Sequence, residues 1–144
     1  MALEIVIPGG IISPTTSTAA ETLGGGPAVM NPSIVDRSNN FTITTSFSTL
    51  GGIFNTWSSP TAVWNAEAIF EQMGGGEFAG TFPGTEVYIQ TAALQPYTIT
   101  ITIPSASLPP AGVYRGVLRV WLNLGASPTV VCGFEDLGLV EFYN

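Results

Sequence analysis

Histidine and lysine are absent from this chain, and cysteine occurs once and arginine three times among its 144 residues. Each absence removes a class of chemistry. Without histidine there is no Ser-His-Asp triad, no Cys-His pair and no histidine-held metal; without lysine there is no Schiff base and no Walker lysine. Cys132 alone can close no internal disulfide and build no zinc ribbon. Ten carboxylates against three arginines give a net charge of −7. So acidic a chain offers no basic surface to neutralise phosphate, and nucleic acid is not expected as a partner. Charged residues make up 9% of the chain, where a soluble domain ordinarily carries about 25%. Hydrophobic residues reach 45%, so the poverty of charge is not that of a disordered polymer. No apolar run approaches the roughly 18 residues of a membrane-spanning helix.

The length fits one domain with a core of its own. Its beginning, Met1-Ala2-Leu3-Glu4-Ile5-Val6-Ile7-Pro8, has no basic segment and only a short apolar run, which is not the pattern of a secretory signal. The chain reads either as a cytosolic product or as a mature sequence with an added Met1. The second reading places it outside the cell or within a large assembly.

Residues 3–7 read as a short strand closed by Pro8-Gly9-Gly10. Ser, Thr, Gly and Pro then dominate to about Ser33, with Glu21 the only charge. That composition predicts an extended arm over 1–33 and a folded domain over 34–144. Period-2 alternation governs the domain. Phe41, Ile43, Thr45 and Phe47 alternate with Thr42, Thr44, Ser46 and Ser48; Tyr97, Ile99, Ile101 and Ile103 alternate with Thr98, Thr100 and Thr102. Val87, Ile89 and Thr91 are set against Glu86, Tyr88 and Gln90. Tyr114, Leu118, Val120, Leu122 and Leu124 are set against Arg115, Val117, Arg119, Trp121 and Asn123. The tail offers strands at Thr129–Cys132 and Leu139–Tyr143 around a Glu135-Asp136-Leu137-Gly138 turn.

Residues 61–73 carry two signals. Ser59-Pro60 before them and Gly74 after them punctuate a helix. Trp64, Ala66, Ala68 and Phe70, however, alternate with Asn65, Glu67 and Glu71, and on a helix those polar residues would form no stripe. We read a strand there. About seven strands follow, at 3–7, 40–49, 62–72, 85–92, 97–103, 113–124 and 138–143. They predict an all-β fold, a single antiparallel β-sandwich with an extended N-terminal arm.

One local pattern narrows this. Leu108-Pro109-Pro110-Ala111-Gly112-Val113-Tyr114 resembles the corner before the sixth strand of immunoglobulin-like and fibronectin type III-like domains. There a tyrosine hydroxyl bonds to upstream backbone, which would make Tyr114 a structural tyrosine corner. Trp64 on the third main strand fits the core tryptophan of that architecture. The absent disulfide speaks against an antibody-type domain. The resemblance concerns fold over 34–144 and implies no activity.

Candidate chemistry is sparse. Glu67 and Glu71 share a strand face but stand about 13 Å apart, beyond the roughly 6.5–9.5 Å of an inverting glycosidase pair; solvated carboxylates are the plainer reading. Glu77 and Glu135-Asp136 are oxygen donors, yet calcium wants six to eight such ligands and a polar turn explains them better. Gly74-Gly75-Gly76-Glu77-Phe78-Ala79 formally matches G-x-G-x-x-A, but a strand is expected after it in place of the helix that phosphate binding needs. Asn40-Phe41-Thr42 is a glycosylation acceptor pattern that equally begins a strand. Cys132, among Thr129, Val130 and Val131, reads as an inert core thiol. No catalytic, metal or cofactor residue is therefore assigned, and no enzymatic activity is expected.

Two functional readings remain. Monomeric β-sheets guard their edges with lysine, proline or inward charge, and this chain has no lysine. Large uncharged faces are expected where subunits meet. The chain is therefore read as a structural subunit that self-assembles into a homo-oligomer, filament, shell or surface layer. Leu3, Ile5, Val6 and Ile7 are its candidate assembly residues, by strand addition to a neighbour or by pairing within their own sheet. The alternative is a module binding glycan or protein through the outward aromatics Trp57, Tyr88, Trp121 and Tyr143.

Overall fold

The structure is a computed structural model that describes residues 16–22, 29–30, 34–49, 61–74, 79–89, 95–125 and 127–144. Side chains are described for all of these except 16–22, 29–30, 79 and 127–131. Nine strands follow one another: β1 (Thr16–Thr22), β2 (Val29–Met30), β3 (Ile34–Asp36), β4 (Asn40–Thr49), β5 (Ala62–Gln72), β6 (Ala79–Val87), β7 (Gln95–Ile103), β8 (Gly112–Leu124) and β9 (Ser127–Tyr143). A 3-10 turn at Ser105–Ser107 joins β7 to β8, and no α-helix occurs among the described residues. The fold is all-β, as the alternation predicts.

The strands form two sheets, ordered β2-β1-β4-β7 and β3-β9-β8-β5-β6. The four-stranded sheet is curled like half a barrel. All pairings are antiparallel except the short one of β3 with β9. Inside the expected arm, β1 pairs with β4 over seven residues, Thr16 opposite Ser46 through Thr22 opposite Asn40. The threonines that make this stretch look like a linker are β-branched, and β4 offers them a pleated edge.

The two-residue period places one face of each strand in the core. Phe41, Ile43, Thr45, Phe47 and Thr49 of β4 are buried, as are Ala62, Trp64, Ala66, Ala68 and Phe70 of β5. Tyr97, Ile99, Ile101 and Ile103 of β7 and Tyr114, Leu118, Val120 and Leu122 of β8 complete most of the core. Large rings gather at its two ends. Phe47, Trp64, Tyr97 and Tyr88 form one group, with Phe47 and Trp64 centred 4.9 Å apart edge to face. Phe41, Phe70, Phe142 and Tyr114 form the other, with centroids 5.5–6.2 Å apart. Edge-to-face contacts match positive ring edges to negative faces, which adds to area burial.

Three expectations are corrected. The fourth predicted strand, 85–92, begins earlier, as β6 over Ala79–Val87, and with the opposite parity: Val87 is 64% and Ile89 47% exposed, while Tyr88 is 5% exposed. The cause lies in β6's small residues. Gly80 is opposite Phe70 and Gly84 opposite Ala66 on the inward side, and β7 comes so close that a Cβ at Gly84 would lie 2.8 Å from Ile101 Cγ1. Pro83 is tolerated because β6 is a sheet edge, where a missing N–H costs no ladder bond. Second, the expected turn at 135–138 is a bulge within β9. Gly116 faces Gly138 and Val117 faces Asp136, which leaves Leu137 extra; Gly138, at φ +81°, supplies the left-handed residue such a bulge favours. Third, Cys132 is half-buried on the outward face opposite Trp121, because Gly133 and Glu135 take the inward positions.

The corner before β8 is fastened twice. Tyr114 Oη donates to the Pro110 carbonyl at 2.9 Å, and Arg37 Nε donates to the Pro109 carbonyl at 2.8 Å. Arg37 also reaches Asn144 Oδ1, and its own N–H donates to the Tyr143 carbonyl at 2.9 Å. Burial raises the Tyr114 phenol above its ordinary pKa, partly offset by the nearby Arg37 charge. Asn40 Oδ1, in the glycosylation pattern, accepts the Ser105 N–H at 3.0 Å and so ties the start of β4 to the 3-10 turn.

Candidate assembly surfaces

Each sheet turns one face away from the core, and the two outward faces differ in chemistry. On the four-stranded sheet, Thr42, Thr44, Ser46 and Ser48 of β4 lie opposite Thr102, Thr100, Thr98 and Pro96 of β7. These eight side chains carry no charge. Ser46 Oγ and Thr98 Oγ1 share a hydrogen bond of 3.2 Å across the strands.

The outward face of the five-stranded sheet mixes exposed apolar residues with charges; most of these are set in opposed pairs, while Glu141 lies opposite Val113 and Ile34. Register runs Asn65–Trp121–Cys132, Glu67–Arg119–Phe134, Ile69–Val117–Asp136 and Glu71–Arg115–Leu139 across β5, β8 and β9. Arg119 Nη2 meets Glu67 Oε2 at 2.8 Å, and its guanidinium carbon lies 4.4 Å from the centre of the Trp121 ring, a cation–π contact. Arg115 Nη2 meets Asp136 Oδ2 at 2.5 Å. The Arg115 hydrogen bond, followed by the Gly138 N–H, lowers the pKa of Asp136; the same bond raises that of Arg115. Around these pairs Phe134 is 51% and Leu139 58% exposed, and Val87, Val113, Ile34 and Tyr143 are also exposed.

The structure brings few of the sequence-derived candidates together. Leu3, Ile5, Val6, Ile7 and Trp57 lie outside the described residues. Tyr88, expected outward, is buried in the core and stacks on Tyr97 with centroids 6.2 Å apart. Trp121 and Tyr143 do face outward, but Trp121 is opposite Cys132, eleven residues along β9 from Tyr143, a separation of roughly 30 Å at strand rise. No aromatic platform joins them. Glu67 and Glu71 stand opposite Arg119 and Arg115, not opposite each other. Glu135 is 3% exposed on the inward face, whereas Asp136 is exposed on the outward one, so these adjacent carboxylates do not converge. Glu77 lies outside the described residues, and Ala79, which ends the glycine-rich motif, opens a strand. Among the described residues no group of three potential metal ligands forms, and no helix is long and apolar enough to cross a membrane.

Sequence reasoning missed Phe134 and Leu139 as surface groups, having placed a turn between them. Their signal was the alternation of Phe134, Asp136, Leu139 and Glu141, broken by the one extra residue of the bulge.

No family model and no curated protein matches the sequence. Among solved structures, the chain is similar to a β-glucosidase from Listeria innocua in complex with glucose, at 10% identity and a TM-score of 0.40. The match covers 92% of this chain and 16% of that one. A likeness of that size carries no functional argument.

Proposed function

We propose that the protein is a non-enzymatic structural subunit that self-assembles through its sheet surfaces. The observation that carries this reading is the outward face of the five-stranded sheet. It exposes Phe134, Leu139, Val113, Val87, Ile34 and Tyr143 around arginines already matched by carboxylates. Exposed apolar area of this kind is stabilised when water leaves it, and subunit contact is the usual means. The neutral Thr/Ser face of the other sheet adds surface with no charge to keep copies apart. The strand order is compatible with an immunoglobulin-like scaffold, in which β1, β4 and β7 would correspond to A, B and E, and β5, β6, β8 and β9 to C, C′, F and G. Tyr114 in β8, bonded to the Pro110 carbonyl, would then be its corner tyrosine.

Analytical ultracentrifugation over a concentration series, with electron microscopy of the concentrated sample, tests the reading. Mass above the 15.0 kDa monomer that rises with concentration is expected. A single monomeric species at millimolar loading overturns it. The alternative reading, a glycan- or protein-binding module, keeps Trp121 and Tyr143 as separate sites among the described residues, with Trp57 outside them. A ligand lost on Trp121→Ala would favour it.

A further inference from the structure

We infer that the outward face of the five-stranded sheet docks onto the same face of a second copy. The two-fold axis would run along the strands, midway between β5 and β8. This inference rests on the self-assembly reading and names its interface and partner.

Charge pattern selects both the partner and the axis. Two of the chain's three arginines, Arg115 and Arg119, lie on this face, and both glutamates opposite them lie on β5. These four charges, on the two strands that flank the axis, sum to zero within a chain of net charge −7; Asp136, bonded to Arg115, and Glu141 lie on β9 to one side, so the β5–β8 line is ground where one acidic copy meets another with little repulsion. A partner surface of one sign would oppose two of the four. A copy of the chain opposes none, provided the orientation is right.

A two-fold axis along the strands between β5 and β8 lays β5 of one copy over β8 of the other, with ranks preserved. Glu67 then faces Arg119 of the second copy, and Glu71 faces its Arg115. Ile69 faces Val117, and Asn65 faces Trp121. One strand further out, β9 lies over β6, so Phe134 faces Pro83 and Asp136 faces Thr81, following the register of each sheet. Within these ranks no like charges meet. An axis across the strands through the Ile69–Val117 rank would instead set Glu67 over Glu71 and Arg119 over Arg115, four like-charge contacts that count against that arrangement. The preferred axis keeps strands of the two copies aligned, which is how stacked sheets pack once their twist is allowed for. The contact is isologous and closes as a dimer. Trp121, flanked by Arg119 at 4.4 Å, is its central aromatic anchor, as aromatic and arginine residues commonly are in interfaces.

Charge reversal in the full-length chain tests this. Arg119→Glu makes rank 67/119 wholly negative, and Glu67→Arg makes it wholly positive. Each variant alone should self-associate at least about tenfold more weakly than the parent, as like-charge contact requires. Mixed in equal amounts, they should form a heterodimer of parental affinity. The double variant Glu67→Arg/Arg119→Glu should associate as the parent does. Circular dichroism confirms folding, and Phe134→Glu, at an exposed position, weakens the same dimer should a charge variant misfold. Recovery on mixing reports contact between chains, which loss of the internal ion pair would not produce.

Unchanged association of both single variants, or no recovery on mixing, overturns the inference, as does stronger association of Arg119→Glu, which would mark the crosswise axis. If the parent assembles while these variants behave like it, assembly uses another surface and this inference alone fails. If the parent is monomeric throughout, the self-assembly reading fails with it.

Discussion

Tyr114 shows how much order one hydroxyl can impose. Its ring is buried beside Phe142, and its Oη reaches back four residues to the Pro110 carbonyl. The two prolines at 109 and 110 cannot donate backbone hydrogen bonds, so the corner is held through their carbonyls, by Tyr114 and by Arg37. Tyr114→Phe keeps the ring and removes that bond, and should cost about 1 kcal/mol. The check is a lower urea midpoint with an unchanged slope. Asp136 makes a second prediction. Its folded pKa lies below the ordinary 3.8 because Arg115 and the Gly138 N–H bind the ionised form. A depressed carboxylate pKa contributes stability above the unfolded value and loses it as pH falls through the folded one. Acid unfolding below about pH 4 should therefore be shallower in Asp136→Asn than in the parent over that window. Both groups are exposed, so added salt should shrink the difference.

Among the strands, β6 is where local pattern and final placement part. Its apolar residues Val87 and Ile89 look like an inward set, yet they face solvent. Alternation tells which residues share a side, but not which side meets the core. Here that depended on room: β7 approaches β6 so closely that glycine is needed at 84. Gly84→Ala should destabilise by about 1–3 kcal/mol, the usual cost of overpacking, and thermal unfolding should show it. Gly138→Ala, in open space but at φ +81°, should cost about 1–2 kcal/mol through backbone strain alone. Strands β4, β5, β7 and β8 were legible to within two residues of their ends, because each carries a long run of alternation and is bounded by turn residues. For β5 that run outweighed the helix-like punctuation, and Gly74, at φ +77°, ends a strand.

For the whole molecule, the place of β1 changes how the proposed assembly through the arm should be tested. Removing 2–33 would strip a strand paired along seven residues of β4 and bare a sheet edge, itself prone to adventitious pairing. Removing 2–15 leaves β1 in place. If Leu3, Ile5, Val6 and Ile7 join subunits, that deletion should lower particle mass by light scattering while thermal unfolding stays cooperative. Unchanged mass would confine assembly to the sheet faces.

Composition alone excluded histidine and lysine chemistry and an internal disulfide, and alternation alone yielded the all-β class and most of the core, because both depend on side-chain identity and nearest neighbours along the chain. The opposed charges of β5 and β8 were not legible in that way. Glu67 and Arg119 are 52 residues apart in the sequence, and they became neighbours through the register of β5 on β8. The bulge at Leu137 likewise turns both Phe134 and Leu139, of opposite parity along the strand, toward water. Cross-strand register depends on turns, bulges and packing between sheets, and these are settled when the sheets form, not by any single strand.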